Sequence, residues 1–154
     1  MTLRAWRIVK SVHAATAFSG EAAKQYGGRW NSHGSAVIYT ASSISLAMLE
    51  ILVHIRRDQL LRHYVLFGVE FADDLVESLE AKTLPPSWRN YPAPAATQQV
   101  GDRWLVASKF AVLRVPSVIV PDESNYLLSP AHPDFKKILI GPAEPIEFDP
   151  RLLR

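Results

Sequence analysis

The chain has 154 residues, 48% hydrophobic and 21% charged, a balance that fits one domain with a real core and excludes the disordered class. It contains no cysteine, which excludes disulfides, thiolate catalysis and cysteine-based zinc sites and fits a reducing compartment. The net charge is only +2, and Arg4, Lys24, Arg57, Arg89 and Lys136 are scattered with no basic stripe, so direct nucleic-acid binding is not expected.

In the opening stretch MTLRAWRIVKSVHAATAFSG, Arg7, Lys10 and His13 interrupt every apolar segment that a signal peptide would need. No run approaches the length of a membrane span, so a soluble, cytoplasmic protein without a membrane partner is expected. Ala5 to Lys10 alternates like a first strand. Residues 19–26 can form one or two helical turns before Gly27-Gly28 forces the chain to bend. Ala36 to Thr40 is a β-rich run after the turn signal Ser32-His33-Gly34.

The strongest element is SSISLAMLEILVHIRRDQL. Ser42 or Ser43 supplies an N-cap, and Ile44, Ala47, Met48, Ile51 and Ile55 recur at helical spacing. Leu46, Leu49 and Val53 cover much of the opposite side, which predicts a helix buried on two faces. Its polar tail, Arg56-Arg57-Asp58-Gln59, sets cations where the helix dipole favours them. His63 to Phe71 alternates as a strand, whereas Leu84 to Pro94 holds four prolines and can be neither helix nor central strand. Gln98 to Lys109 reads as a helix, Ala111 to Val120 as two short strands joined at Pro116-Ser117, and Ile146–Phe148 as a last strand. Helix and strand mix without a βαβ rhythm. The expectation is an α+β fold around a mostly antiparallel or split sheet, as a single domain over residues 1–154.

Glu50 stands out because its neighbours one turn away include Leu46, Ala47 and Val53. A carboxylate in such surroundings either meets a cation or solvent at the helix edge, or is held in a dry cleft to stabilise developing positive charge. Arg29 follows two glycines, which suits a forked contact to phosphate as well as an ordinary turn. Tyr39 lies in an apolar run and reads as a core residue unless a ligand approaches it. Ser117 lacks a nucleophile elbow, and the five histidines show no metal-ligand spacing, so no metal site is legible. His54, one turn after Glu50, reads as a helix-face residue. Asn125-Tyr126 before Leu127-Leu128 is either a loop anchor or a ligand contact.

Taken together, GGRWNSHGSAVIYTASSISLAMLEILVH and LRVPSVIVPDESNYLLSPAHPDF, with AWRIVK as a weaker third stretch, resemble the RES domain, the toxin of RES–Xre toxin–antitoxin systems. The order is specific: Arg29, then Tyr39, then Glu50, then Ser117 in a VPSVIVP run. The resemblance implies an ADP-ribosyltransferase-like split β-sheet with flanking helices and NAD in the cleft, as substrate and with no other cofactor. It implies catalytic roles for Glu50, Arg29 and Tyr39, with Arg29, Tyr39, Ser117, Asn125 and Arg7 binding NAD. Asn125 falls in an NYLLNP-like segment in which this chain has Ser129 for the second asparagine. An Xre-like DNA-binding antitoxin is the implied partner, any DNA contact running through it, and the complex leaves room for a toxin homodimer.

The expected activity is cleavage of the nicotinamide–ribose bond by hydrolysis or phosphorolysis. The alternative is a mono-ADP-ribosyltransferase modifying a host protein, disfavoured because Met48 stands two residues before Glu50 where transferases often carry an acid. A third reading is a non-enzymatic module in which Arg29 and Glu50 form a buried structural ion pair.

Overall fold

The alternation of the first segment is realised as β1 (Thr2–Lys10), which pairs antiparallel with β3 (Tyr64–Ala72) in unbroken register from Thr2↔Ala72 to Lys10↔Tyr64. The structure is a computed structural model that describes residues 1–154 except 57, 60, 61 and 154. Its remaining strands are β2 (Ile38–Ala41), β4 (Val76–Ser78), β5 (Val112–Pro116), β6 (Ser124–Leu128), β7 (Leu139–Ile140) and β8 (Glu144–Ile146). The helices are α1 (Glu21–Tyr26), α2 (Ile44–His54) and α3 (Ala95–Ala107). Among the described residues the strands form one sheet, ordered β4-β5-β6-β2-β1-β3-β7, with β8 also on β3. Among the described strands only β4 and β5 pair parallel.

This sheet is nearly split. One half is the β1–β3 ladder with β7 and β8, and the other is β4-β5-β6-β2. They join through β1 and β2 at the single pair Trp6↔Ala41. Arg7 spans the seam beside that pair, its Nε donating to Ala17 O at 2.7 Å and its Nη1 to Tyr39 O at 2.9 Å. Side-chain bonds to carbonyls thus replace ladder bonds that the diverging strands cannot make.

Three buried clusters cover the sheet. On one face Ala5, Ile38, Val69, Phe71, Tyr126 and Leu128 pack together. On the other, Leu113, Val115 and Leu127 lie under Trp30, Trp88 and Trp104, while Ile8 and Ala41 lie under Leu46 and Ala47 of α2. α2 and the three tryptophans, which come from separate segments, are therefore neighbours on one side of the sheet, with a valley between them.

Several expectations are corrected. α2 stops at His54 because Ile55 turns extended (φ −114°, ψ 158°) and joins the cluster of Tyr64 and Phe148. Tertiary packing overrides helical periodicity there. Arg56, Asp58 and Gln59 follow the helix instead of ending it, and Arg57 lies outside the described residues. α2 is buried on one face only: Ile44, Leu49 and Val53 remain 37%, 38% and 59% exposed. The second strand expected after Pro116 is a bend, the segment around Asn125 is an interior strand, β6, and the last strand lies at Glu144–Ile146. α3 begins at Ala95, earlier than its pattern suggested.

Candidate active site

The glutamate side of the valley is built on α2. Ser43 caps it, its Oγ accepting from Leu46 N at 3.0 Å, and Glu50, half-buried, reaches toward the end of β5. There Ser117 is 0% exposed, its Oγ donating to Glu50 Oε1 at 3.3 Å and accepting from Ile119 N at 3.1 Å and Val120 N at 3.2 Å. Those two backbone bonds explain why the chain bends after Pro116: the serine satisfies amides that a strand would give to a neighbour. Asn125, paired with Ala41 across β2 and β6, sits on the same face and donates from Nδ2 to Thr40 O at 3.2 Å. Burial pushes the Glu50 carboxyl above the usual carboxylate range; the Asn125 amide, the Ser117 hydroxyl and the charges of His54 and Arg29 offset part of the rise.

The arginine side is a tight turn. Gly27 takes a left-handed conformation (φ 71°), and Gly28 N donates to Asn31 O at 3.0 Å, leaving Arg29 and Trp30 at the corner. Arg29 Nη1 donates to Trp88 O at 3.0 Å and to Asn90 O at 2.7 Å, which anchors one nitrogen to the proline-rich segment. Burial lowers the Arg29 guanidinium from its ordinary value, and the charge of Glu50 works against that. Among the described residues no ion pair joins Arg29 to Glu50. The two charges face one cleft unpaired, so the structural ion-pair reading loses its premise.

Tyr39 comes between them on β2. Its hydroxyl donates to Asn31 Oδ1 at 2.5 Å and accepts from Trp30 N at 3.2 Å. Burial pushes the phenol upward, so it stays a neutral donor. A Cβ on Gly28 would lie 2.6 Å from this hydroxyl, which is why the turn carries glycine there. Tyr39 is thus tied to the arginine turn by its hydroxyl, a role that a stacking residue would not need.

Arg29, Tyr39, Glu50, Ser117 and Asn125 all border this valley. Arg7 does not. Strand alternation sets it on the face opposite Trp6 and Ile8, with its Nε and Nη1 given to backbone carbonyls, and burial lowers its pKa to about 10.

Sequence reasoning missed Asn31, which is 0% exposed and gives its Nδ2 to Ala23 O, Ser32 O and Ser35 O. It also missed Asp102, whose carboxylate accepts from Ser32 N at 3.0 Å and Ser32 Oγ at 2.5 Å. One signal was available: Gly101 in a helix interior costs roughly 1 kcal/mol against alanine, so its presence implies a packing reason.

The structure defines a class, an α+β fold that sets a half-buried carboxylate opposite a guanidinium without pairing them. The chain belongs to the RES domain family, whose model matches residues 4–149. It is 44% identical over 149 residues to the "Toxin Res" of Yersinia enterocolitica, covering 96% of this chain and 97% of that protein. It is 40% identical over 159 residues to the "Prs ADP-ribosylating toxin" of a Sphingobium species, covering 100% of this chain and 99% of that one. The same fold occurs in the crystal structure of the M. tuberculosis MbcT-MbcA toxin-antitoxin complex, with a TM-score of 0.80, 19% identity, and coverage of 99% of this chain and 87% of that chain.

Proposed function

We propose that this protein is the toxin of a toxin–antitoxin pair and depletes NAD by cleaving its nicotinamide–ribose bond. The observation that carries this is Glu50: a desolvated carboxylate at the floor of a valley, held by Ser117 and faced by an arginine with which it forms no ion pair. Such a group is spent on neither stability nor a partner, which suits a charge kept for a cationic transition state.

In the reaction the bond between ribose C1′ and the nicotinamide nitrogen breaks. Its electron pair goes to the nitrogen and neutralises the pyridinium, and the ribose becomes oxocarbenium-like, as in glycoside hydrolysis. Glu50 stabilises that centre and accepts a ribose hydroxyl, Ser117 orients Glu50, and Asn125 lines the same floor. Arg29 holds ribose or diphosphate oxygen with the nitrogens that Trp88 and Asn90 do not use. Water or phosphate then adds at C1′ and loses a proton to solvent. NAD is the substrate, and nothing in the scheme calls for a further cofactor.

A protein antitoxin restrains this activity, and Ile44, Leu49 and Val53 on α2 offer it an apolar surface beside Glu50. An Xre-like antitoxin and a toxin dimer are the forms expected for the complex. The site of action is the cytoplasm; among the described residues no helix is long and apolar enough to cross a membrane.

The Sphingobium relative's name favours a second reading, transfer of ADP-ribose to a protein. Purified protein incubated with NAD separates the two. Nicotinamide release without other protein supports cleavage, and release only with added lysate, together with a labelled protein band, supports transfer.

A further inference from the structure

The arginine turn is gripped from outside by one face of α3. Gln98 Nε2 donates to Gly28 O at 3.1 Å, and Asp102 accepts both Ser32 N and Ser32 Oγ. Between them Gly101 lies against Trp30, where a Cβ would overlap the carbonyl oxygen. Residues 98, 101 and 102 stand at i, i+3 and i+4, so they share one helix face. That face meets the turn at its beginning, middle and end, with Arg29 in between. From inside, Tyr39 and Asn31 hold the same turn, and Tyr39 also takes Trp30 N.

We propose that α3 is the positioning element of the active-site arginine, with Gln98, Gly101 and Asp102 setting where Arg29 presents its free nitrogens to the substrate's ribose or diphosphate. None of the three touches the cleft, and all act through the turn. The gap across the valley is set on one side by α2 and on the other by α3, and a turn without this grip would let Arg29 swing about the Trp88 and Asn90 carbonyls that hold one of its nitrogens.

For its kinetic arm the proposal rests on the NAD-cleaving reading. The test is a double-mutant cycle between Asp102 and Arg29, with Gln98→Ala in place of Asp102→Ala should the latter fail to fold. Asp102→Ala should lower kcat/KM for NAD about tenfold, the scale of a lost charge-assisted hydrogen bond. Asp102→Asn should recover most of it, because the amide still accepts from Ser32 N and can donate to Ser32 Oγ. In an Arg29→Lys background, Asp102→Ala should cost little more, since the group it positions is gone. An unchanged kcat/KM, or a loss that simply adds to that of Arg29→Lys, overturns the proposal while leaving NAD cleavage intact. If the wild-type protein cleaves no NAD, hydrogen exchange decides instead. Faster exchange of the Gly28 and Trp30 amides in Asp102→Ala, by about tenfold, supports the grip, and unchanged exchange overturns it.

Discussion

The two walls of the valley hold their charged residues by different means. Arg29 sits in a turn fixed by directional polar contacts: Gln98 on Gly28 O, Tyr39 on Trp30 N, Asp102 on Ser32, and the Trp88 and Asn90 carbonyls on the guanidinium itself. Glu50 rides an apolar helix whose place is set by Leu46 and Ala47 packing on the sheet, and its carboxylate is met by the Ser117 hydroxyl and the Asn125 amide. Hydrogen bonds fix direction, which a forked donor needs in order to meet ligand oxygens. Burial fixes dielectric, which a carboxylate needs if its charge is to count. The difference teaches that each wall is stabilised by the kind of force its chemistry requires.

Removing the charge from the buried wall gives the largest effect. Glu50→Gln should lower NAD turnover by about 10²–10³-fold, the range for deleting a preorganised transition-state contact. It should also melt no lower than the wild type, and higher at neutral pH. The sign follows from burial: a carboxyl raised above its unfolded value favours the fold while protonated, and that contribution is lost as pH rises through the raised value. At neutral pH the charged form therefore costs stability, and glutamine removes the cost. Parallel turnover assays and thermal melts check both halves.

On the directional wall, Arg29→Lys should lower kcat/KM by about ten- to a hundredfold, since an ammonium has one nitrogen, and holding it on the Trp88 and Asn90 carbonyls leaves no second nitrogen to reach a ligand. Steady-state kinetics at limiting NAD measure it; near-normal kcat/KM would mean that the forked geometry is not used.

Tyr39→Phe sharpens the contrast further. A residue that only stacked on nicotinamide would tolerate the change. Here the loss leaves Asn31 Oδ1 and Trp30 N without their partner, costing about 1–3 kcal/mol. The melting temperature should fall by several degrees, at roughly 2–4 °C per kcal/mol for a chain of this size. An unshifted melt would return Tyr39 to a purely ligand-facing role.

The smallest effect is on pH. Activity should fall on the acid side through the raised value of Glu50, above the ordinary carboxylate range. Ser117→Ala should move that limb to still higher pH, because the hydroxyl that favours the charged form is gone. A pH–rate profile of both proteins reads it directly.

Much of this was legible in the sequence, and the lapses have physical causes. The alternation of β1 and β3 and the helical run around Glu50 reflect strong one-dimensional periodicities, and they are placed almost where expected. Asn125 reads in the sequence as a loop anchor or a ligand contact because a strand buried on both faces, like β6 with Tyr126, Leu127 and Leu128, has no alternation to betray it. Residues 118–120 form a bend but read as strand because apolar side chains suit both, and only the bonds of Ser117 to two amides decide. Arg29, Tyr39, Glu50 and Ser117 were picked out by a family pattern; composition and spacing alone left each with an ordinary alternative. The hold on the turn by Asn31 and Asp102 joins residues far apart in the chain, and no local pattern encodes such pairing.

The central claim is that the unpaired Glu50 carboxylate drives cleavage of NAD. It is tested most directly by following NAD and free nicotinamide in a solution of the purified wild-type protein, beside a Glu50→Gln protein of matched circular dichroism. The account predicts stoichiometric loss of NAD and release of nicotinamide by the wild type, with almost none by the variant. Equal rates in the two folded proteins, or no loss of NAD with the wild type even when lysate is added, would contradict it.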